Sequence, residues 1–205
     1  MTDRPKSIVL ASASRARRTL LENAGVPFTV CVSDVDEDVL KNSQDLANAV
    51  AEDLAFALAD AKAKDVLDRL SSSDDVVVIG ADQILVCNGV RFDKPRTMAE
   101  AADHLGQLNG KTHQLISACS IRQGEAPAWR CIETAQLRMR TLSPGTIDRY
   151  LETIGEAALH TVGCYQLEGI GAHLFERVDG DYFTILGLPL LPILSYLRLQ
   201  KVIPE

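Results

Sequence analysis

Apolar residues along the chain fall into short unbroken runs that alternate with longer stretches at three-to-four spacing, the pattern of strands alternating with amphipathic helices. Residues 7–11 (SIVLA) form the first apolar run and predict a buried strand. Residues 15–24 then predict a helix, with Ser14 as N-cap and Gly25 at the left-handed position just past its end. A second strand is expected at residues 28–32, followed by a long Ala- and Leu-rich helix capped by Ser43 and running to about Leu70. The polar stretch SSSDD, residues 71–75, reads as a loop.

Four consecutive apolar residues, 76–79, predict a central strand that continues into GADQILVCNGVRF. There Asn88-Gly89 is a strong two-residue hairpin turn. Thr97 followed by Glu100 is a capping box opening a helix to about Leu108. KTHQLISACSI and WRCIETAQLRMR predict successive strands, and Trp129, Cys131, Ala135, Leu137 and Met139 share one face of the second. Ser143-Pro144 opens another helix, with proline at its first position. Residues 163–187 are punctuated by glycine and read as strand-like, and LPLLPILSYLRL closes the chain as a helix. The alternation, free of tandem repeats, predicts the α/β class, and no linker divides the 205 residues.

Composition narrows the function. A chain with 46% hydrophobic and 24% charged residues is ordinary globular protein. The longest apolar run, near residues 185–194, is broken by Pro189 and Pro192 and is far shorter than the ~20 residues of a membrane span. The absence of a signal-like N-terminal segment places the expected protein in the cytoplasm, off the membrane. Five scattered cysteines without a C-x-x-C pair predict neither a disulfide framework nor structural zinc. A formal net charge of −7 argues against a broad nucleic-acid surface, though it permits a local basic pocket.

Such a pocket is foreshadowed in IVLASASRARRTLLENAG, residues 8–25. Strand, polar loop and helix N-terminus together favour an anion, because the first backbone N–H groups are unpaired and the helix dipole is positive there. Ser12 and Ser14 add hydroxyls, and Arg17 and Arg18 add forked guanidinium groups suited to phosphate. Basic residues at a helix start oppose the dipole, so a solvated basic turn is the less comfortable alternative. Asp82 follows the central apolar strand beside a Gly-Ala pair that permits close approach, where a carboxylate can bind a divalent cation, orient water or simply occupy a turn. Lys94, in FDKP, is expected across the hairpin from it. Asp34, Asp36, Glu37 and Asp38 form either a solvated acidic loop or the source of a second metal-facing carboxylate. No Walker A sequence, G-x-G-x-x-G or G-x-S-x-G is present, which favours an activated water over covalent catalysis.

The segments LASASRARRTLLENAGVPF, VDE, LADAKA, GADQILVCNG with DKP, LNGKTHQLISA, GCYQLEGIGAHLFERVDGDY and GLPLL, in that order, resemble the Maf family. That resemblance implies a nucleoside triphosphate pyrophosphatase using Mg²⁺ or Mn²⁺, and one Maf-like domain over residues 1–205. It also implies an elongated mixed-sheet fold like that of inosine triphosphatases, with two lobes around a central cleft, and commonly a homodimer. Carried over by position, it puts Ser12, Ser14, Arg17 and Arg18 in the phosphate loop, and Glu37, Lys62 and Lys94 around the triphosphate. Asp82 becomes the candidate for metal binding or water activation, with Glu37 as a second metal-facing group.

Arg15-Ala16 departs from the family's usual proline after the second serine. Gln83 and the sequence Tyr165-Gln166-Leu167-Glu168-Gly169 resemble the branch that prefers 7-methyl-GTP over the one that prefers dTTP and UTP. A glutamate at 168 accepts from a guanine's N1–H and amino group, whereas a glutamine suits the mixed edge of thymine or uracil. Gln83 then reads a second edge atom of the base. Related alternatives are a dTTP/UTP pyrophosphatase, a hydrolase for other damaged nucleotides, and a non-catalytic nucleotide-binding regulator of cell division.

Overall fold

The computed structural model describes residues 6–70, 75–124 and 127–204. Strand β1 (Ser7–Leu10) leads into α1 (Arg15–Asn23), β2 (Thr29–Val30), α2 (Glu37–Lys41) and the long α3 (Ala51–Arg69). Then come β3 (Val76–Cys87), β4 (Val90–Phe92), α4 (Met98–Leu108), β5 (Thr112–Arg122), β6 (Pro127–Met139) and α5 (Pro144–Ile154). Three short 3₁₀ turns precede β7 (Phe175–Asp179), α6 (Tyr182–Ile185) and α7 (Leu190–Leu199). The strands form one mixed sheet in the order β2-β1-β3-β5-β6-β7, with β4 on β3. β1 runs parallel to β2 and β3, whereas β3–β4 and β6–β7 are antiparallel. This is the α/β class expected from the alternation. Among the described residues no helix is long and apolar enough to cross a membrane.

The chain divides into two compact units, residues 1–82, 117–133 and 182–205 in the first and residues 83–116 and 134–181 in the second. In the first unit the period-two alternation of β3 sorts the core onto two faces. Val77, Ile79 and Ala81 pack with Leu20 and Leu21 of α1 and with Ile193 and Leu197 of α7. Val78, on the opposite face, packs with Ala63, Val66 and Leu67 of α3. Gly80 shares that α3 face, and a Cβ there would overlap the Ala59 carbonyl oxygen and lie 2.8 Å from the Ala63 nitrogen. Only glycine admits the helix so close to the strand.

In the second unit, α4 packs on α5 and on the first two 3₁₀ turns. The β3–β4 turn is made by Asn88 and Gly89, both at positive φ, with Cys87 opposite Val90. Thr97 caps α4, accepting from Glu100 N at 3.1 Å, while the Glu100 carboxylate accepts from Arg96 N. The hairpin and capping box stand where the sequence put them.

Three expectations are corrected. The long helix starts at Ala51, not at a Ser43 cap. No residue from 31 to 50 is buried, so a helix there would gain nothing from packing, and α3 begins where Leu54, Ala55 and Leu58 enter the core. The acidic run instead yields α2, capped by Asp36, whose side chain accepts from Val39 N. The second strand shrinks to two exposed residues. Residues 163–187 are mostly not strand: Gly163 and Cys164 take positive φ, and only residues 175–179 pair with β6. Glycines there mark tight turns rather than a pleated segment. The loop expected at residues 71–74 lies outside the described residues. All five cysteines are free thiols.

Candidate active site

β1 delivers the chain into the Ser12–Ser14 loop, and Ser14 caps α1 by accepting from Arg17 N at 3.3 Å. Ser12 Oγ accepts from Ser14 N at 3.2 Å, which folds the loop back over the helix start. The first turn of α1 carries no acidic side chain to occupy its positive end. Arg17 does not reach outward. Its Nε donates to Gly187 O at 2.7 Å, and its Nη1 donates to Ala81 O at 2.8 Å and to Ser12 Oγ at 3.2 Å. The guanidinium thus ties the loop to the β3 backbone immediately before Asp82, and only its Nη2 edge has no partner among the described residues. Burial lowers its pKa, while Asp82 and Glu37 act in the opposite direction. Arg18 and Arg15 are exposed, and Ala16 is half-buried.

Asp82 is buried at 7% exposure, and so is Lys62 at 8%. Lys62 Nζ donates to Asp82 Oδ1 at 2.6 Å and lies 2.7 Å from Glu37 Oε1. Glu37 is the first residue of α2, with Asp36 as its cap. Lys62 projects from the middle of α3 one position before Ala63, the residue against which Gly80 packs. Gly80 and Asp82 lie two apart on β3, hence on the same face of the strand. The gap left by the missing Cβ therefore lets α3 carry its lysine to the aspartate.

The acidic run around residue 36 separates into distinct jobs. Asp34 accepts from Arg69 Nη1 at 3.0 Å, and its N–H donates to Asp65 Oδ2 at 2.9 Å, which fastens the loop to α3. Asp36 caps α2, and Glu37 alone goes to Lys62. A second buried cluster on α3 was not read from the sequence. Asp60 accepts from Ser120 Oγ and from Arg122 Nε, both at 2.7 Å. Burial pushes its carboxyl up, but these hydrogen bonds outweigh that and hold it below the ordinary value. Asp60, two positions before Lys62 in LADAKA, had no local signal of its own, because its partners lie some sixty residues away.

In the second unit, Gln83 is half-buried and Lys94 is exposed, two residues past the end of β4. Glu168 is exposed on a turn whose backbone is held tightly. Gln166 N donates to Tyr150 Oη at 3.2 Å, and Gly169 N donates to Gln166 O at 3.2 Å. Gly171 sits directly on the Gln166 backbone, where a Cβ would overlap it. Tyr165 is buried, its hydroxyl 2.7 Å from His113 Nε2. Desolvation raises the Tyr150 hydroxyl to about 12 and lowers His113 to about 4. The turn bearing Glu168 is thus fixed at its start by the Tyr150 hydroxyl and the buried Tyr165, and at its end by the close seat of Gly171 on Gln166.

The Maf-like protein family matches residues 7–200. The chain belongs to the Maf family. Among its relatives are a 7-methyl-GTP pyrophosphatase of Rhizobium meliloti, 49% identical over 93% of this chain and 94% of that protein, and one of Brucella abortus, 45% identical over 96% and 97%. A nucleoside triphosphate pyrophosphatase of Hyphomonas neptunium is 44% identical over 97% of this chain and 98% of its own.

In this Maf-family chain, two carboxylates already share one cation, the Lys62 ammonium. Among the described residues no group of three or more His, Cys, Asp or Glu side chains is placed to hold a metal ion. Mg²⁺ and Mn²⁺ in nucleotide enzymes commonly take one or two carboxylates and complete their shell with phosphate oxygens and water. Glu37 and Asp82 fit that donor set, and among the described residues no other carboxylate shares a cation with Asp82.

Proposed function

We propose that this Maf-family chain is a nucleoside triphosphate pyrophosphatase that converts 7-methyl-GTP and water to 7-methyl-GMP and pyrophosphate. The observation that carries the reading is the Asp82–Lys62–Glu37 cluster, a buried ammonium between two carboxylates, on the same unit as the Ser12–Ser14 loop. A protein that only bound nucleotide would need the loop but not a buried lysine held between two carboxylates.

The α1 N-terminus, with the Ser12 and Ser14 hydroxyls and Arg18, holds phosphate oxygens. Arg17 fixes the loop against β3 and directs its remaining guanidinium edge to the same anion. Asp82 accepts a hydrogen bond from the attacking water and orients it toward the α-phosphorus. As the water oxygen bonds to that phosphorus and gives up a proton to the Asp82 carboxylate, the bond to the β-phosphate oxygen breaks and pyrophosphate leaves. Lys62 and Lys94 offset the charge developing on the leaving group. A divalent cation held by Asp82 and Glu37 would supply Lewis-acid polarisation of the phosphates.

Glu168 reads the base. Methylation at N7 leaves the guanine ring formally cationic, so a carboxylate facing its N1–H and amino edge gains charge attraction as well as two hydrogen bonds. Gln83 reads a further edge atom. The names of the 49% and 45% identical relatives support this base over thymine or uracil. Turnover of 7-methyl-GTP, GTP, dTTP and UTP, compared at equal concentration by pyrophosphate release, tests the reading. Faster turnover of dTTP or UTP than of 7-methyl-GTP overturns the choice of base.

A further inference from the structure

Lys62 is held more firmly than a lysine that only waits for substrate. Its ammonium contacts both carboxylates at 2.6 and 2.7 Å, and its side chain is 10% exposed. Around it, the negative charge is already matched: the ammonium and the buried Arg17 guanidinium stand against Glu37 and Asp82, Arg17 interacts electrostatically with both, and Lys41 Nζ lies 3.8 Å from Glu37 Oε2. A divalent ion entering between the carboxylates would meet the ammonium at close range and add two positive charges to a cluster whose carboxylates are already matched by cations. Like charges a few ångströms apart in a partly desolvated site repel strongly. A triphosphate reverses the balance, because its oxygens can take the ammonium, and the four-carbon stem of lysine is flexible enough to follow.

We infer that Lys62 acts as a built-in counter-cation that keeps a divalent ion off the Glu37–Asp82 pair until a triphosphate arrives to accept its ammonium. Resting on the reading of these two carboxylates as the metal-facing pair, this makes cation and nucleotide binding mutually dependent. The enzyme then holds little cation when empty. Lys62 also couples α2 to the site: no residue of that helix is buried, and Glu37 is its contact with the ammonium.

The test uses Mn²⁺ alone, followed by titration calorimetry and by the paramagnetic resonance signal of the free ion, on the full-length protein. Wild type is compared with Lys62→Met, Lys62→Gln and the charge-retaining Lys62→Arg. Without nucleotide, Lys62→Met and Lys62→Gln are expected to bind Mn²⁺ at least about tenfold more tightly than wild type or Lys62→Arg, as removal of a facing positive charge requires. A non-hydrolysable α,β-methylene nucleoside triphosphate is expected to raise the affinity of wild type well beyond what the nucleotide's own chelation gives. Equal or weaker Mn²⁺ binding by the neutral variants overturns the inference. So does wild-type binding that is as tight without the nucleotide as with it, a comparison that needs no variant to fold. Failure of the pyrophosphatase reading appears separately, as absence of pyrophosphate release by wild type whatever the Mn²⁺ affinities.

Discussion

Gly80 of β3 and Ala59 of α3 are packed backbone to backbone, with Ala63 next to them at 2.8 to 2.9 Å from where a Gly80 Cβ would lie. This contact sets the separation at which Lys62, one turn along the same helix, meets Asp82. Gly80→Ala is therefore expected to push α3 away from the strand, at a cost of about 2 to 3 kcal/mol in stability. Activity should fall further than stability explains, since the ammonium loses its distance to the carboxylate. Urea denaturation paired with pyrophosphate release at a temperature where the variant is folded checks both effects.

Arg17 is expected to behave as a buried fastener as much as a phosphate ligand. Arg17→Ala strips the Gly187 and Ala81 carbonyls of a charged donor and should cost about 3 kcal/mol. Arg17→Lys should recover less than about half of that, because a single ammonium cannot reproduce the guanidinium's separated donors. Arg18→Ala, on the exposed face, should leave the denaturation midpoint within about 0.5 kcal/mol of wild type and raise KM. Denaturation curves and steady-state kinetics on the three variants separate the roles.

The stability of the protein should depend on pH through His113. Desolvation depresses its folded pKa to about 4 from an ordinary 6.5, so the unfolded chain binds the proton more readily. The neutral folded form is fully favoured above about pH 6.5, and this contribution is lost as pH falls toward 4, amounting to on the order of 3 kcal/mol. Asp60, held below its ordinary value, adds its own loss only at still lower pH. The double variant His113→Leu/Tyr165→Phe removes both members of the hydrogen-bonded pair and should flatten the profile between pH 6.5 and 4. Urea midpoints measured across that interval decide it.

Base choice should respond to Glu168 and to the clamp that holds its turn. Glu168→Gln is expected to lower kcat/KM for 7-methyl-GTP by about tenfold or more, while dTTP and UTP change little or improve. Tyr150→Phe removes the acceptor for Gln166 N and should erode the same ratio more mildly, with the loss in KM rather than in kcat. Competition assays with paired substrates report the ratio directly.

Much of this was legible along the chain where the signal is local. The Ser14 cap, the Asn88-Gly89 turn and the Thr97–Glu100 box each depend on neighbouring residues and stand as expected. Asp82 stands out at the end of an apolar strand and Glu37 in an acidic run, Lys62 only through the resemblance to the Maf family, and the structure brings the three together. What could not be read depends on distant partners. The start of α3 is set by which residues find a core, not by the nearest serine. The inward turn of Arg17 is set by a carbonyl 170 positions away, at Gly187. Residues 163–187 read as strand-like from their glycine punctuation, although their backbone is mostly turned.

The central claim is that Asp82 orients the water that cleaves the α–β phosphoanhydride bond. Pyrophosphate release from 7-methyl-GTP by wild type and Asp82→Asn, at saturating Mg²⁺ and with circular dichroism confirming the fold, tests it most directly. The account predicts steady pyrophosphate release by wild type and a loss of at least about a hundredfold in kcat for Asp82→Asn. Near-normal release by the folded Asp82→Asn variant would contradict it.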